Sequence, residues 1–517
     1  MHHAVSVRGV GRGVTFRFGW DDGRHGTPGH VRGERRVGYA RPPRSDHRDV
    51  APQRVRGRPD PLPSPVGACD TPRMPTPTDG APPGSRRVRA WWARCVGAVA
   101  FAGALAGCPD LPGHRCATSR ECGQGGVCER AGVCSFPVAA CDSGRGYADQ
   151  AAGDLAGTCV PSCDAAGGDA ACLSGVCEAG QCVPDDEVRY VAEAGVDTAA
   201  CTQADPCRTI ARAIAARGAR ALVVVTPGTY VGSIEINPPA QADAPFDVWL
   251  IGARRPDGAR PVVRASDGDG ITIHRGGLAV RALEVHDGAA VTTSDTIDAR
   301  DATRITISDS RLVAATGNAL ECHGCTVTVR RSEVRGDPQQ GIWIEAGRDV
   351  ELIGNTVTGN REGGLAITAD RCVIGSNLIV GNGHTGSDVG GASVSCPLAH
   401  AFVHNTLSQN QAADPSVAAY RCLSGASAVN DGNLFDAAAT AVTGCEHSYS
   451  LTTSGLLPGH DNRTATPGFV SPTDLHLRPD SPARGAASPT APTQVDIDID
   501  GEARRQGAGD IGADEIP

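Results

Sequence analysis

The stretch Asn355-Thr-Val-Thr-Gly-Asn360 returns as Asn377-Leu-Ile-Val-Gly-Asn382 and again as Asn405-Thr-Leu-Ser-Gln-Asn410. Weaker copies of the same phrase begin at Ser310, Ser332 and Asn433. Successive copies start 22, 23, 22, 28 and 28 residues apart. Self-similarity at such a period is the signature of a repeat architecture in which each unit forms one turn of a solenoid.

A second apolar run recurs in each repeat, and it alternates with a period of two, as expected for a short strand. Hairpin turn signals are absent, and coils of this length stack in parallel with about three strands per turn. We therefore predict an all-β fold, a right-handed parallel β-helix. Aligning the repeats predicts one interior column, which contains Leu320, Ile344, Ile367, Val394 and Tyr420.

The repeated Asn is expected at a tight corner of each coil. Asn tolerates left-handed backbone angles, and its amide can bond to its copy one coil away. We assign this column to structure rather than to chemistry. At the other end of the solenoid, residues 206–217 read as a helix with Ile210, Ala213 and Ile214 on one face. This helix is predicted to cap the open apolar end.

The charge of the chain is strongly asymmetric. All 48 basic residues are Arg, and residues 1–107 hold 18 of them against 8 acidic residues, a net +10. The net charge of −10 for the whole chain therefore leaves −20 for residues 108–517. Because residues 108–517 are so acidic, they should repel polyanions, which excludes nucleic acid as a partner.

The N-terminal part reads as a targeting region. Residues 1–87 have the composition of a disordered leader, or of a start assigned too far upstream. Residues 88–107 have basic residues, a short apolar run and small residues before Cys108, as in a secretory signal. Leu105-Ala-Gly-Cys108 resembles the bacterial lipobox. The resemblance implies that Cys108 is lipidated and anchors a monomer to a membrane, in the cell envelope and at the surface of the outer membrane. An ordinary signal peptide is the alternative.

Residues 108–186 are rich in Cys and poor in large apolar residues, so we predict a stalk held by disulfides. Ten Cys after Cys108 allow five bridges, and metal binding is the alternative. In the following solenoid, Cys201 and Cys207 can close a loop. Bridges between coils are expected either from Cys422 to Cys445 or from Cys396 to Cys422. Cys322-His-Gly-Cys325 can instead be read as half of a zinc site.

Residues 187–517 resemble the pectin-lyase-like β-helix superfamily, with coils over 187–455 and a closing segment over 456–517. The closing segment contains Ser481-Pro-Ala, Asp500-Gly-Glu-Ala-Arg504 and Asp510-Ile-Gly-Ala-Asp-Glu515. This order resembles the C-terminus of choice-of-anchor Q bacterial β-helix proteins, and the Cys-rich segment resembles the stalks of myxobacterial surface lipoproteins. The resemblance implies a surface β-helix but no particular reaction, because this fold hosts lyases, hydrolases and adhesins.

The alignment of the coils also predicts a column of outward carboxylates formed by Asp298, Glu321 and Glu345. At a spacing of about 4.8 Å, such carboxylates do not all ionise unless a cation lies among them. A retained proton would suit glycosidase chemistry, with His323 as acid, base or ligand and Trp343 stacking on a sugar ring. A bound cation and an ordinary solvated stripe are the alternatives.

One more motif concerns calcium, the one cofactor that the sequence suggests. Asp496-Ile-Asp498-Ile-Asp500-Gly501 begins like an EF-hand loop, but its twelfth position is Gly507 rather than Glu. A looser calcium site built from the three Asp residues is therefore the hypothesis.

These observations favour recognition or display at the cell surface, with carbohydrate as the ligand class. A polysaccharide hydrolase or lyase that uses the outward carboxylates is the alternative, and a structural envelope protein is the third reading. Whether the chain is an enzyme stays open at this point. Aromatic residues make up only 4% of the chain, which weakens every carbohydrate hypothesis because sugar sites commonly use aromatic platforms.

Overall fold

A computed structural model describes residues 115–516, apart from 152, 239–243, 254–256, 289–292, 301–302, 337–338, 425–427, 491–494 and 506–507. Cys108 and the predicted segments 1–87 and 88–107 lie outside these residues. The chain divides into two units, Met1–Phe101 and Ala102–Pro517, and every described residue belongs to the second. None of the helices in the described part combines the length and apolar character that a membrane crossing requires.

The alternating runs form short strands that stack coil on coil into a right-handed parallel β-helix with three sheets, here called A, B and C. Sheet A contains Val188–Val191, Ala221–Val225, Val248–Gly252, Gly277–Arg281, Arg304–Ser308, Thr326–Arg330, Ala399–Val403, Val429–Asp431, His447–Ser448 and Gly459–His460. Sheet B contains Thr229–Val231, Val262–Arg264, Glu284–His286, Arg311–Ala314, Glu333–Gly336, Thr356–Thr358, Leu378–Val380, Thr406–Ser408, Leu434–Ala438, Leu451–Ser454 and Arg463–Thr464. Sheet C contains Ile234–Ile236, Ile271–Ile273, Ile297–Ala299, Leu320–His323, Ala392–Ser395, Tyr420–Cys422 and Val442–Thr443.

Two long strands, Gln340–Ile353 and Gly363–Gly375, run from sheet C into sheet A without a break. The pairings along all three sheets are parallel, as the coil length predicted. Between the long strands the register shifts at Ile344 and Gly347. In these two coils the chain therefore passes from sheet C into sheet A as one uninterrupted strand.

The register corrects the sequence alignment by two residues at two steps. Tyr420 pairs with Ala392 rather than with Val394. Leu320 pairs with Ile342 rather than Ile344, and Cys322 takes the place opposite Ile344. A shift of two keeps every side chain on its face, so Leu320 and Ile344 are both buried but in neighbouring columns. The alignment matched Glu321 to Glu345 and Val394 to Tyr420, whereas the strands pair Glu321 with Trp343 and Val394 with Cys422.

The repeated Asn residues form a buried ladder. Asn355 Nδ2 donates to Asn377 Oδ1 at 3.0 Å, Asn377 to Asn405 at 3.0 Å, and Asn405 to Asn433 at 3.1 Å. Each receiving oxygen also accepts the backbone N–H of the donating Asn. Each Nδ2 also donates to a backbone carbonyl of the coil before its own. The predicted structural role is thus explained by hydrogen bonds that run from coil to coil.

The left-handed residue at this corner is not the Asn but the residue before it. Ser376 has a φ of 52° and His404 a φ of 55°, and Gly354 and Gly432 occupy the same position in their coils. The Asn side chain then satisfies the backbone groups that the sharp turn leaves unpaired. Upstream, Ser332 supports the same corner through its hydroxyl, which accepts the backbone N–H of Ser310 at 3.2 Å.

The first coils carry the short helix Ile210–Ala215, which begins at Thr209 and is shorter than predicted. Ile210, Ala213 and Ile214 are buried in the main core, as their spacing indicated. The role of this helix as a cap stays a prediction. The remaining helical turns among the described residues are Ser119–Cys122, Gly153–Leu155, Cys163–Ala166, Gly168–Ala171, Pro415–Val417 and Ala439–Ala441.

The Cys-rich segment forms two small antiparallel sheets. Their strands are Val127–Cys128, Cys134–Pro137 and Arg145–Tyr147 in one, and Cys177–Glu178 and Gln181–Cys182 in the other. Five disulfides join its ten described Cys residues: Cys116–Cys128, Cys122–Cys134, Cys141–Cys159, Cys163–Cys177 and Cys172–Cys182. With so few large apolar residues, the cross-links supply the stability that a small core cannot.

The C-terminal residues lie along the side of the solenoid rather than across its end. Ala513 N–H donates to Thr406 Oγ1 at 2.9 Å, and Gly512 N–H donates to the Gly432 carbonyl at 2.8 Å. Ile511 packs against the outward side chains of Leu434 and Leu451. Apolar outward residues of sheet B therefore explain where this segment binds.

The motif residues of this segment form a buried polar network. The Arg504 guanidinium donates to the carbonyls of Asp510 and Ala513, to Ser376 Oγ, and lies 3.4 Å from Glu515. Asp510 accepts the backbone N–H groups of two further residues of the segment. The motif that resembles choice-of-anchor Q proteins thus holds the segment together and docks it on the coils.

Replacing Asn377 by Ala should destabilise the solenoid by about 2–3 kcal/mol, because the buried donors and acceptors of two neighbouring coils lose their partner. Urea unfolding with the disulfides intact would measure this loss. Asn360, Asn382 and Asn410 form a second ladder of the same kind. Asn410→Ala is the matched control and should cost less stability, since Asn410 ends this ladder in a half-buried position. Equal stability of Asn377→Ala and the unmodified chain would contradict the structural role of the ladder.

Candidate functional site

The outward face of sheet C carries two neighbouring columns of charged and polar side chains. Strand alternation turns Ile297 and Ala299 inward, so Asp298 points outward together with its register partners Thr272 and Glu321. One column contains Glu235, Thr272, Asp298, Glu321 and Trp343, and the other contains His274, Arg300, His323 and Glu345. We call these two columns the acid–base stripe.

The predicted column of three carboxylates is not formed. Asp298 and Glu321 are direct register partners, but the partner of Glu321 in the next coil is Trp343. Glu345 lies two residues further along and pairs with His323 instead. The two-residue register error therefore placed Glu345 in the wrong column, and it concealed that an aromatic ring stands next to Glu321.

Asp298 is the most enclosed acid of the stripe, with only 1% of its side chain exposed. Arg300 holds it with both Nε and Nη2, at 2.8 Å and 2.6 Å from Oδ2. A carboxylate bound in this bidentate way is a charge-paired structural group rather than a free base. Arg300 is tied up in the same pair, so it is not free to bind the carboxylate of a uronate.

Glu321, His323 and Glu345 form a continuous chain of contacts. His323 Nε2 lies 2.8 Å from Glu321 Oε1, and His323 Nδ1 lies 3.2 Å from Glu345 Oε2. The imidazole thus bridges two carboxylates on neighbouring coils. Its ring also packs edge-on against Trp343, with centroids 5.3 Å apart. Glu345 is the open end of the chain, with 60% of its side chain exposed.

Asp295, which the sequence analysis did not single out, completes this group. It is buried, accepts the Asn318 N–H at 2.6 Å, and hydrogen-bonds to Glu321. Burial raises the pKa of Asp295 from 3.8 to about 8, and the negative charges of Glu321 and Asp269 act in the same direction. Asp295 therefore keeps its proton at neutral pH and donates it toward the Glu321 carboxylate.

A sequence signal for Asp295 exists. A polar residue stands two positions before the first inward residue of successive sheet C strands, and these residues are Asp269, Asp295, Asn318 and Gln340. The side chains of the first three accept the backbone N–H of the corresponding residue in the following coil, at 3.0, 2.6 and 3.1 Å. Aligning this position as well as the strands would have identified the group.

The three Asp residues of the calcium hypothesis have different partners. Asp498 is buried and accepts the backbone N–H groups of Asp500 and Glu502 at 3.0 and 2.8 Å, which fixes a turn. Asp496 is exposed and lies 3.5 Å from Arg330. Asp500 lies 3.2 Å from His476. Within the described residues, these three do not make up a group close enough to hold one ion.

The cysteines of the solenoid are joined in pairs. Cys201–Cys207 and Cys422–Cys445 are disulfides, and both pairs had been named from the sequence. Cys396 bonds to Cys372 rather than to Cys422. Cys322 and Cys325 bond to each other, so neither offers a thiolate for zinc in this state.

Comparisons with known proteins agree with this fold. A family model described as right handed beta helix region matches residues 269–435, which include the Asn ladder and most of the acid–base stripe. Curated proteins give no match. Among solved structures, the crystal structure of pectate lyase Pel9A aligns with 64% of this chain and 96% of its own, at 15% identity and a TM-score of 0.37. The strand pairing shows that the fold of this chain is a right-handed parallel β-helix, and the family match over residues 269–435 agrees with it. Fold alone does not determine a reaction.

The raised pKa of Asp295 predicts a pH effect on stability. The folded chain holds this proton up to about pH 8, whereas the unfolded chain loses it near 3.8. The stabilisation is therefore complete at low pH and is lost as pH rises toward 8, by up to about 1.4 kcal/mol per unit. Asp295→Asn should remove this part of the slope in urea unfolding between pH 5 and 9. Parallel slopes for both chains would refute a retained proton.

Proposed function

We propose that this chain is a surface-anchored β-helix lipoprotein that recognises or displays carbohydrate, with the sheet C face around Trp343 as the contact site. The observation that carries the proposal is the partly buried Trp343 ring, which lies beside Glu321 in register, packs against His323 and is two residues from the exposed Glu345. An apolar ring beside carboxylate acceptors matches the alternation of apolar faces and hydroxyl groups on a sugar.

The internal pairing of the stripe favours binding over catalysis. Asp298 and Arg300 form an ion pair, and Glu235 Oε1 lies 3.2 Å from His274 Nε2. The face thus offers hydrogen-bond acceptors without a cluster of free cations. Combined with the net charge of −20 over residues 108–517, this selects neutral or cationic glycans over polyuronates.

The anchoring part of the proposal rests on the sequence. Cys108 would carry the lipid after removal of residues 88–107, and the disulfide-joined segment that follows would hold the solenoid away from the outer membrane. The buried network of Arg504, Asp510 and Glu515 supports the resemblance to choice-of-anchor Q proteins, because it gives the motif a packing role. As part of the same proposal, the chain is a monomer and resembles the surface lipoproteins of myxobacteria.

A polysaccharide hydrolase is the second candidate, and a specific observation favours it. Glu321 and Glu345 are two carboxyls on neighbouring coils with the His323 ring between them, and glycoside hydrolysis uses two carboxyls that are set apart rather than in contact. Lyase chemistry has less support, because the nearest Arg is held by Asp298. A structural envelope protein is the reading that remains if no glycan binds.

Trp343→Ala should weaken binding of neutral glycans by at least about tenfold, since loss of one aromatic platform costs about 1–2 kcal/mol. Glycan-array screening followed by titration calorimetry would measure this change in the purified chain. Asp349→Asn is the control, because Asp349 lies on the same long strand but pairs with Arg371 on sheet A. Binding that Trp343→Ala leaves intact would remove this face from the proposal.

If the chain is a hydrolase, incubation with the bound glycans should release reducing ends, and Glu321→Gln should lower the rate by at least about a hundredfold. Asp349→Asn should keep the full rate. Assays for reducing ends and for unsaturated products separate hydrolase from lyase activity. Binding without any product would leave recognition as the function.

A further inference from the structure

Three separate segments meet at a small group of side chains on the C-terminal part of the molecule. His476 comes from the segment that pairs Phe469 with Leu477, Asp500 from the turn fixed by Asp498, and Asp514 from the end of the chain. Each of the three offers one ligand atom, and these atoms all lie within 4.8 Å of one another. The group is remote in sequence from the acid–base stripe and shares no residue with it.

The imidazole of this group is oriented as in known metal sites. His476 Nδ1 lies 2.5 Å from Asp474 Oδ1, while Nε2 faces Asp500, with 3.2 Å between Nε2 and Oδ2. A carboxylate on one ring nitrogen fixes the tautomer and leaves the other nitrogen as the ligand. Asp474 is itself held, because it accepts the His476 backbone N–H at 3.2 Å.

The two carboxylates are also positioned by the fold. Asp514 is buried, and its Oδ2 accepts the Leu477 backbone N–H at 2.7 Å. The backbone N–H of Asp500 is bound by Asp498 Oδ1 at 3.0 Å. The Asp514 carboxylate and the His476 ring are therefore held by hydrogen bonds, and the backbone of Asp500 is fixed in its turn, which lowers the entropy cost of binding.

We propose that His476, Asp500 and Asp514 bind one divalent metal ion of the zinc class, with Asp474 as the positioning residue for the imidazole. Ligands of a tetrahedral site with bonds of about 2.0–2.2 Å lie about 3.4 Å apart, and the 3.2 Å from Nε2 to Asp500 matches this. A mixed imidazole and carboxylate set suits zinc better than calcium, which takes oxygen ligands only. Water would complete the fourth position.

The electrostatics point the same way. Three carboxylates, those of Asp474, Asp500 and Asp514, face a single imidazole. A divalent cation neutralises the excess negative charge and gives the buried Asp514 carboxylate a partner. The site shares only Asp500 with the calcium motif of the sequence, so it replaces that hypothesis with a different ligand set and a different ion.

The test is equilibrium dialysis of the purified chain, stripped with a chelator, against Zn²⁺ and separately against Ca²⁺. We expect one Zn²⁺ per chain, affinity reduced at least a hundredfold in His476→Ala, and affinity reduced 10- to 100-fold in Asp474→Asn. His460→Ala is the matched control, since His460 forms a comparable exposed pair with Asp461 at 3.0 Å and should bind zinc like the unmodified chain.

Thermal melts without metal would show that His476→Ala is folded, and zinc should raise the melting temperature of the unmodified chain but not of this variant. Equal zinc affinity in the unmodified chain and in His476→Ala would overturn the proposal. So would the absence of binding at millimolar zinc, or a calcium affinity equal to that for zinc. None of these readouts depends on glycan binding, so the two proposals fail independently.

Discussion

The structure depends on stacking of the coils in register, and the buried Asn ladder is where that requirement is most direct. Each Asn amide finds its partners only if the next coil places the same amide one strand spacing away. A coil displaced by one residue would leave a buried donor and acceptor without partners, which costs more than most single contacts provide. The ladder therefore fixes the register between neighbouring coils, and this register sets which residues align in every other column.

The acid–base stripe is a consequence of that register. Glu321 meets His323 along its own strand, and His323 meets Glu345 across coils, because the strands of sheet C pair residue by residue. The same stacking places Asp295 beneath the start of the next coil, where burial and Glu321 keep it protonated. A regular backbone thus brings titratable side chains from different coils into contact.

The sequence predicted the repeat, the parallel sheets and the inward columns because each rests on a local period that stacking preserves. It failed where a two-residue error leaves the inward and outward pattern unchanged. Alternation alone does not distinguish Ile342 from Ile344 as the partner of Leu320, so Glu345 was assigned to the wrong column. Asp295 was missed because it lies in the turn before a strand, where alternation gives no information about direction.

What the sequence by itself determined is the β-helix and its Asn corner, which follow from the spacing between neighbouring repeats, and the short loop closed by Cys201 and Cys207. For Cys422 the spacing left Cys445 and Cys396 as alternative partners, and the structure decided for Cys445. Only the tertiary structure decided that Asp298 is neutralised by Arg300, that Arg504 is buried under the C-terminal motif, and that His476 meets Asp500 and Asp514. Asp298 and Arg300 lie two residues apart, but alternation places them on one face without showing that they are in contact. The other contacts join segments that no periodicity relates, so their geometry is fixed only when the last residues fold back along the coils.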